Sequence, residues 1–207
     1  MRVMIYVVSG PSGGGKSTLI RRVLGSLPGL CFSVSHTTRR KRESEVEGRD
    51  YYFTSEEMFR KMLRRGEFLE HAVVHGHFYG TSTREIRKAA QGDIILDIDV
   101  QGARQVREKV KRALFIFVLP PSYQKLKSRL ERRGLDSPAE IRRRLDRARQ
   151  EIRSYSRFDY IIVNDDLEEA GRELESIIRC NRRQLVYCRK EIAPILESFR
   201  KKRAKRR

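Results

Sequence analysis

The stretch VMIYVVSGPSGGGKST, residues 3–18, constrains the fold of this chain more than any other. A short apolar run stopped by glycine reads as a buried strand. It is followed at once by G-x-x-x-x-G-K-S, Gly10 to Ser17, and then by a helical pattern. Strand, glycine-rich turn and helix in that order form a phosphate-binding loop. Each residue type has a reason. Glycines let backbone N–H groups turn inward around phosphate oxygens, and the helix dipole behind them favours negative charge. Gly10, Pro11, Ser12, Gly13, Gly14, Gly15, Lys16, Ser17 and Thr18 are therefore expected to bind a nucleoside triphosphate. Lys16 would reach its β- and γ-phosphates, and the Ser17 hydroxyl would ligate the accompanying Mg²⁺.

The rest of the chain fits that start. Apolar runs IILDID, ALFIFVL and YIIV alternate with segments whose apolar residues fall three and four apart, such as Leu126 and Leu130, or Ile141, Leu145 and Ala148. Such alternation predicts an α/β fold, a parallel sheet flanked by helices. Helix starts are marked by capping boxes at Thr54/Glu57, Ser82/Glu85 and Ser137/Glu140. Residues 33–83 break the alternation with shorter, more polar pieces, DYYF and EFLEHAVV, and read as an insertion. IILDID supplies Asp97 and Asp99, strand-end carboxylates beside the phosphate loop where such enzymes orient Mg²⁺ or its waters. Period-2 alternation would put both on one face.

Composition narrows the class. The 207-residue chain carries a formal charge of +19, of which seven cations lie in FRKKRAKRR, residues 199–207. That tail reads as a frayed helix end or disordered extension, and any nucleic-acid affinity is expected to come through it. The remaining +12 calls for an anionic partner. No run approaches the length of a membrane span. The N-terminal apolar run is too short for a secretory signal. Cys31, Cys180 and Cys188 lack metal or redox spacing, so a cytoplasmic protein with free thiols is expected.

One further stretch, TTRRKRESEVEGRDYYF, places Thr37, Thr38, Arg39, Arg42, Glu45, Gly48, Tyr51 and Phe53 in the pattern TTR-xx-R-xx-E-xx-G-xx-Y-x-F. EFLEH, HFYGT, ILDIDVQG, RLERRG and VNDDL follow in order. Together with the phosphate loop, these motifs resemble those of the guanylate kinases up to about residue 187. The resemblance implies a P-loop core made of residues 1–32, 84–128 and 158–198. It adds a small α+β insert at 33–83 that binds guanosine monophosphate (GMP), and a helical, Arg-rich lid at 129–157. By resemblance Arg39 and Arg42 hold the GMP phosphate with Tyr51 and Tyr79. Ser35, Glu70, Gly80 and Thr81 form the base site, with Asp97 or Asp99 nearby. Arg133 and Arg144 close from the lid onto the transferring phosphoryl group, and with Lys16 and Arg42 make the catalytic set. Arg129, Asn164 and Asp165 would sit against the ATP adenine.

The chemistry agrees with those roles. Guanine offers two adjacent donors, N1–H and the 2-amino group, and one carboxylate can accept both. Adenine presents an acceptor at N1, so such a site can reject it by about 10⁴-fold. The acceptor phosphate is largely deprotonated near neutrality, with a second pKa of ~6, so no general base is needed. The obstacle is bringing two anions into line, which suits arginine. Ten arginines lie between Arg129 and Arg157 against five acids, most of them expected as solvated or intrahelical pairs. Two other readings remain at this point. A guanylate-kinase-like binding module would be expected to lose phosphate-gripping residues. A kinase of another phosphorylated acceptor would have no use for Ser35, Glu70 and Thr81.

Overall fold

A computed structural model describes residues 4–74, 76–88, 92–132 and 137–201. Five parallel strands form the main sheet: β1 (Ile5–Ser9), β2 (Leu30–Phe32), β7 (Asp93–Asp97), β8 (Ala113–Leu119) and β9 (Tyr160–Val163), in the order β2-β7-β1-β8-β9. The central strand β1 pairs on both sides and all five of its residues are buried, which explains its unbroken apolar sequence. On one face α1 (Lys16–Ser26) and α7 (Leu167–Arg182) cover Tyr6, Val8, Ile95 and Ile116 with Leu19, Val23, Leu174 and Ile178. On the other, α4 (Val100–Lys109) brings Ala103 and Val106 against Val7, Leu96 and Phe115.

Between β2 and β7 the chain builds a second sheet. Its strands are β3 (His36–Thr37), β4 (Tyr52–Phe53), β5 (Phe68–Val74) and β6 (His77–Ser82), in the order β4-β3-β6-β5. Helix α2 (Glu56–Arg64) covers it by wedging Phe59, fully buried, against Phe68 and Phe78. Helix α3 (Thr83–Lys88) leads back toward the core.

After β8 come α5 (Tyr123–Arg132) and α6 (Pro138–Ile152). They share a small core of their own, Leu126, Leu130, Leu145 and Ala148, separate from both main clusters. The last helix, α8 (Leu185–Lys201), follows α7 and leaves Leu185, Ile195, Leu196 and Phe199 exposed. Residues 202–207 of the basic tail lie outside the described residues. Among the described residues no helix is long and apolar enough to cross a membrane.

Two details differ from the sequence expectations. Ser55, not Thr54, caps α2 and accepts from Met58 N at 3.2 Å. Thr54 is still held in the sheet, its N–H donating to Thr37 O. The Ser82/Glu85 pair makes no box: Ser82 ends β6, and Glu85 turns inward to accept from Val34 N and the Tyr52 hydroxyl. Ser137 caps α6 as its box predicts, accepting from Glu140 N at 3.3 Å.

Candidate active site

The phosphate loop leaves β1 at Gly10, where φ is 137° and a Cβ would collide with the carbonyl oxygen of Val118. At Gly15, φ is 90° and a Cβ would collide with the Asn164 amide. Only glycine suits either place. Gly15 caps α1 without a side-chain bond, and no acid stands in the first turn, so the N–H groups and dipole of that end face outward toward an anion. Lys16 Nζ lies back across the loop, donating to Gly10 O at 2.6 Å and Pro11 O at 3.2 Å. Ser17 Oγ donates to Asp97 Oδ2 at 2.7 Å, and Arg144 reaches from α6 to Ser12 Oγ at 2.8 Å.

Beside the loop, the segment after β9 and the last turn of α5 close a cleft of about 410 Å³ lined by Gly13, Gly15, Thr18, Arg129, Asn164 and Asp165 among others. Asn164, 4% exposed, donates its amide to Gly14 O at 2.8 Å. Its backbone carbonyl accepts from Arg129 Nη2 at the same distance. The other terminal nitrogen of Arg129, Nη1, is buried and has no partner among the described residues. A buried donor without an acceptor is costly, and this one stands beside a cleft that can take an anionic or heterocyclic ligand.

Across the molecule, Arg39 is fixed on three sides. Its guanidinium donates to Glu45 Oε1 at 2.6 Å, Tyr79 Oη at 3.2 Å and Arg40 O at 2.7 Å, and it lies 5.5 Å from the Tyr51 ring centre. Glu45 also accepts the Arg42 backbone N–H at 2.8 Å, so one carboxylate sets both arginines. Burial works to raise the Glu45 pKa, but the bonds from Arg39 and Arg42 prevail and hold it below the usual range. The Arg42 side chain is exposed. Tyr51 packs edge-on against Tyr79, and burial, with the Asp97 charge adding to it, pushes the Tyr51 phenol above its usual range.

Deeper in the insert, Ser35 Oγ and Thr81 Oγ1 lie 3.2 Å apart, both buried. Glu70, on β5 and 3% exposed, accepts the Thr81 N–H at 2.8 Å. Gly80 lies against Phe59, Phe68 and the Glu70 carbonyl, with no room for a side chain to be added freely. Burial pushes the Glu70 pKa up to about 7, opposed by its bonds to Thr81 and helped by the charge of Asp99. Its second oxygen borders Gly102 in the first turn of α4, where any Cβ would collide with it.

Asp97 and Asp99 do not share a face. The strand ends at Asp97, which bonds Ser17; Asp99 instead caps α4, accepting Gly102 N at 2.9 Å, beside Glu70. The alternation argument failed because the chain leaves the sheet between them. Arg133 lies outside the described residues. Two contributors were missed in the sequence. Glu45 was read only as a motif position, though an acid three residues from Arg42 was a usable signal. Gly102, in the first turn of a helix, signalled a close approach.

This arrangement defines a P-loop phosphotransferase with a second group of arginines, Arg39 and Arg42, and a buried carboxylate, Glu70, deeper in the insert. Known proteins narrow the class. The guanylate kinase family model matches residues 2–181. Guanylate kinase of Geobacter metallireducens is 48% identical over 86% of this chain and 89% of the relative. That of Nitrosomonas europaea is also 48% identical, over 91% of this chain and 97% of the relative. The crystal structure of guanylate kinase from Anaplasma phagocytophilum superposes with a TM-score of 0.74 at 32% identity, covering 92% of this chain and 93% of that one. The chain belongs to the guanylate kinase family.

Proposed function

We propose that the chain transfers the γ-phosphoryl group of ATP to GMP, and more slowly to dGMP, giving ADP and the guanosine diphosphate, as a cytoplasmic enzyme of purine nucleotide metabolism. The observation that carries this reading is Glu70: a carboxylate buried in a hydroxyl-lined pocket, one oxygen already held, set beyond an arginine pair. Guanine's N1–H and 2-amino group are the donors such a carboxylate lacks. Ser35 and Thr81 complete the base site in this reading, and Asp99, close to Glu70 at Gly102, is assigned to the 2-amino group.

The GMP phosphate then falls to Arg39 and Arg42, oriented by Glu45, with Tyr51 and Tyr79 as hydroxyl donors. ATP lies along the loop, its phosphates on the Gly10–Thr18 backbone and Lys16, its adenine beside Arg129, Asn164 and Asp165. Lys16 swings from the loop carbonyls to the β- and γ-phosphates, and Arg144, now on Ser12, moves onto the transferring group. Arg133 joins it by family resemblance. Cations around the equatorial oxygens stabilise the charge that develops there; one such arginine is worth roughly 10³-fold in phosphoryl transfer.

Mg²⁺ fits the residues present, because the Ser17 hydroxyl and Asp97 carboxylate are hard oxygen donors already paired beside the loop. Bound with ATP, it would neutralise phosphate charge and be held there by Ser17 directly and Asp97 through water. The insert at 33–83 is read as the acceptor-binding unit and 129–157 as the lid, the remainder to residue 198 being core. Free Cys31, Cys180 and Cys188 accord with a reducing compartment.

The test is a panel assay. With ATP and Mg²⁺, turnover of GMP should exceed that of AMP, CMP and UMP by about 10³-fold or more in kcat/KM. Equal use of AMP, or none of GMP, would refute the reading.

A further inference from the structure

The lid helix α6 touches the acceptor side of the molecule through one side chain that neither the phosphate chemistry nor the base site requires. Arg147 Nη2 lies 3.3 Å from Asp99 Oδ2, and Arg147 Nε is held by Glu151 Oε1 at 2.8 Å. The three side chains are largely withdrawn from water, with 25% of Arg147, 15% of Asp99 and 9% of Glu151 exposed. The ion pairs of neighbouring arginines, Arg143–Glu140 and Arg149–Asp146, run along the helix; Arg147 makes one such pair, with Glu151, and a second, with Asp99, that leaves it.

The surroundings make this contact consequential. Helices α5 and α6 bury their apolar residues against each other, in a cluster separate from both cores of the main sheet. Toward α4 and β5 the helix faces a cavity of about 560 Å³, lined by Val73, Val100, Gln101, Arg147 and Glu151 among others, rather than a packed interface. Helix α6 thus packs on α5, whose Leu126 lies before the lid boundary, and is tied on the α4 side by an ion pair. The carboxylate at the other end is not arbitrary. Asp99 caps α4 through Gly102 N, and Gly102 abuts Glu70, so a shift of Asp99 is felt at the base pocket.

We propose that Arg147 is a positioning residue that latches the lid to the guanine pocket. By gripping Asp99 it holds closed-lid geometry and orients the carboxylate that meets the 2-amino group, so lid closure and acceptor binding favour each other. This rests on the reading of Glu70 and Asp99 as the base site. An ion pair made with the lid closed and broken with it open stabilises the closed lid, and reciprocity requires that what closing does for GMP, GMP does for closing. Losing it should weaken acceptor binding without slowing the chemical step.

The experiment is steady-state kinetics on the full chain carrying Arg147→Gln, Arg147→Met or Arg147→Lys, alone and combined with Asp99→Asn. Arg147→Gln and Arg147→Met should raise KM for GMP about fivefold, leave kcat within about twofold, and leave ATP binding in the absence of GMP unchanged. Arg147→Lys should recover at least half of the loss on a logarithmic scale. In the Asp99→Asn background, Arg147→Gln should add less than about twofold, because contacting residues are not additive. Unchanged KM in both neutral variants, a fall in kcat with KM untouched, or effects that multiply independently would overturn the latch. Arg147→Met keeps the apolar stem, so it carries the comparison if Arg147→Gln does not fold. If Glu70→Ala and Asp99→Asn leave the preference for GMP over AMP intact, it is the base-site reading that fails; if they abolish it while Arg147 is silent, only the latch fails.

Discussion

On the proposed reading, Glu70 concentrates the chemistry of the acceptor site in one ionisable group. Its pKa of about 7, against 4.5 for an ordinary glutamate, follows first from burial. To accept guanine's two donors it must be ionised, so kcat/KM for GMP should fall as pH drops through about 7, more steeply below ~6 where the GMP phosphate also takes a proton. The same raised pKa acts on stability with the opposite preference. A carboxyl that binds its proton more tightly when folded favours the fold below pH 4.5, and that contribution is lost as pH rises through about 7. Glu70→Gln should therefore raise the melting temperature of the nucleotide-free chain at pH 8 but hardly at pH 4.5, while costing most of the preference for GMP. A variant less stable at pH 8 would contradict the raised pKa. Glu45 works differently: its charge is stabilised by Arg39 and Arg42, so it serves as a fixed brace rather than a titrating group.

At the scale of elements, the phosphate loop depends on a strand distant in sequence. Asn164 at the end of β9 fastens Gly14 with its amide and α5 with its carbonyl, through Arg129. Asn164→Ala leaves the Gly14 carbonyl without that donor, a change worth about 1–3 kcal/mol. We expect KM for ATP to rise by about tenfold and the melting temperature to fall, with KM for GMP little altered; an equal rise in both would mean that β9 supports the whole cleft. The strands β1, β7, β8 and β9 were legible because each is a continuous apolar run, largely buried in β1, β7 and β8, whereas the edge strand β9 buries only Ile162. β2, β3 and β6 were not. Two of them have three residues or fewer, and β6 (HFYGTS) shows no clean alternation, so their pairing is decided by partners elsewhere in the chain. The same dependence displaced the cap of α2 from Thr54 to Ser55, since sheet pairing had already claimed Thr54 N.

At the scale of the whole molecule, charge and fold separate cleanly. Residues 199–207 hold seven of the cations, and Phe199, the first of them, is 71% exposed. Deleting this segment should leave kcat for GMP within about twofold of the intact chain, whereas salt-sensitive retention on RNA should drop. A large loss of kcat would instead give the tail a structural part. The sequence by itself determined the phosphate loop, the layered α/β arrangement and the family. These follow from local patterns: glycines that must turn, apolar runs that must be buried, and motifs in a set order. Only the tertiary structure decided how the two aspartates of ILDID divide. It alone put Glu45 behind both arginines, aimed Glu70 at Gly102 and set Arg147 on Asp99. Each is a contact between segments far apart or on different elements, and its strength depends on distance and exclusion of water, which no local pattern carries.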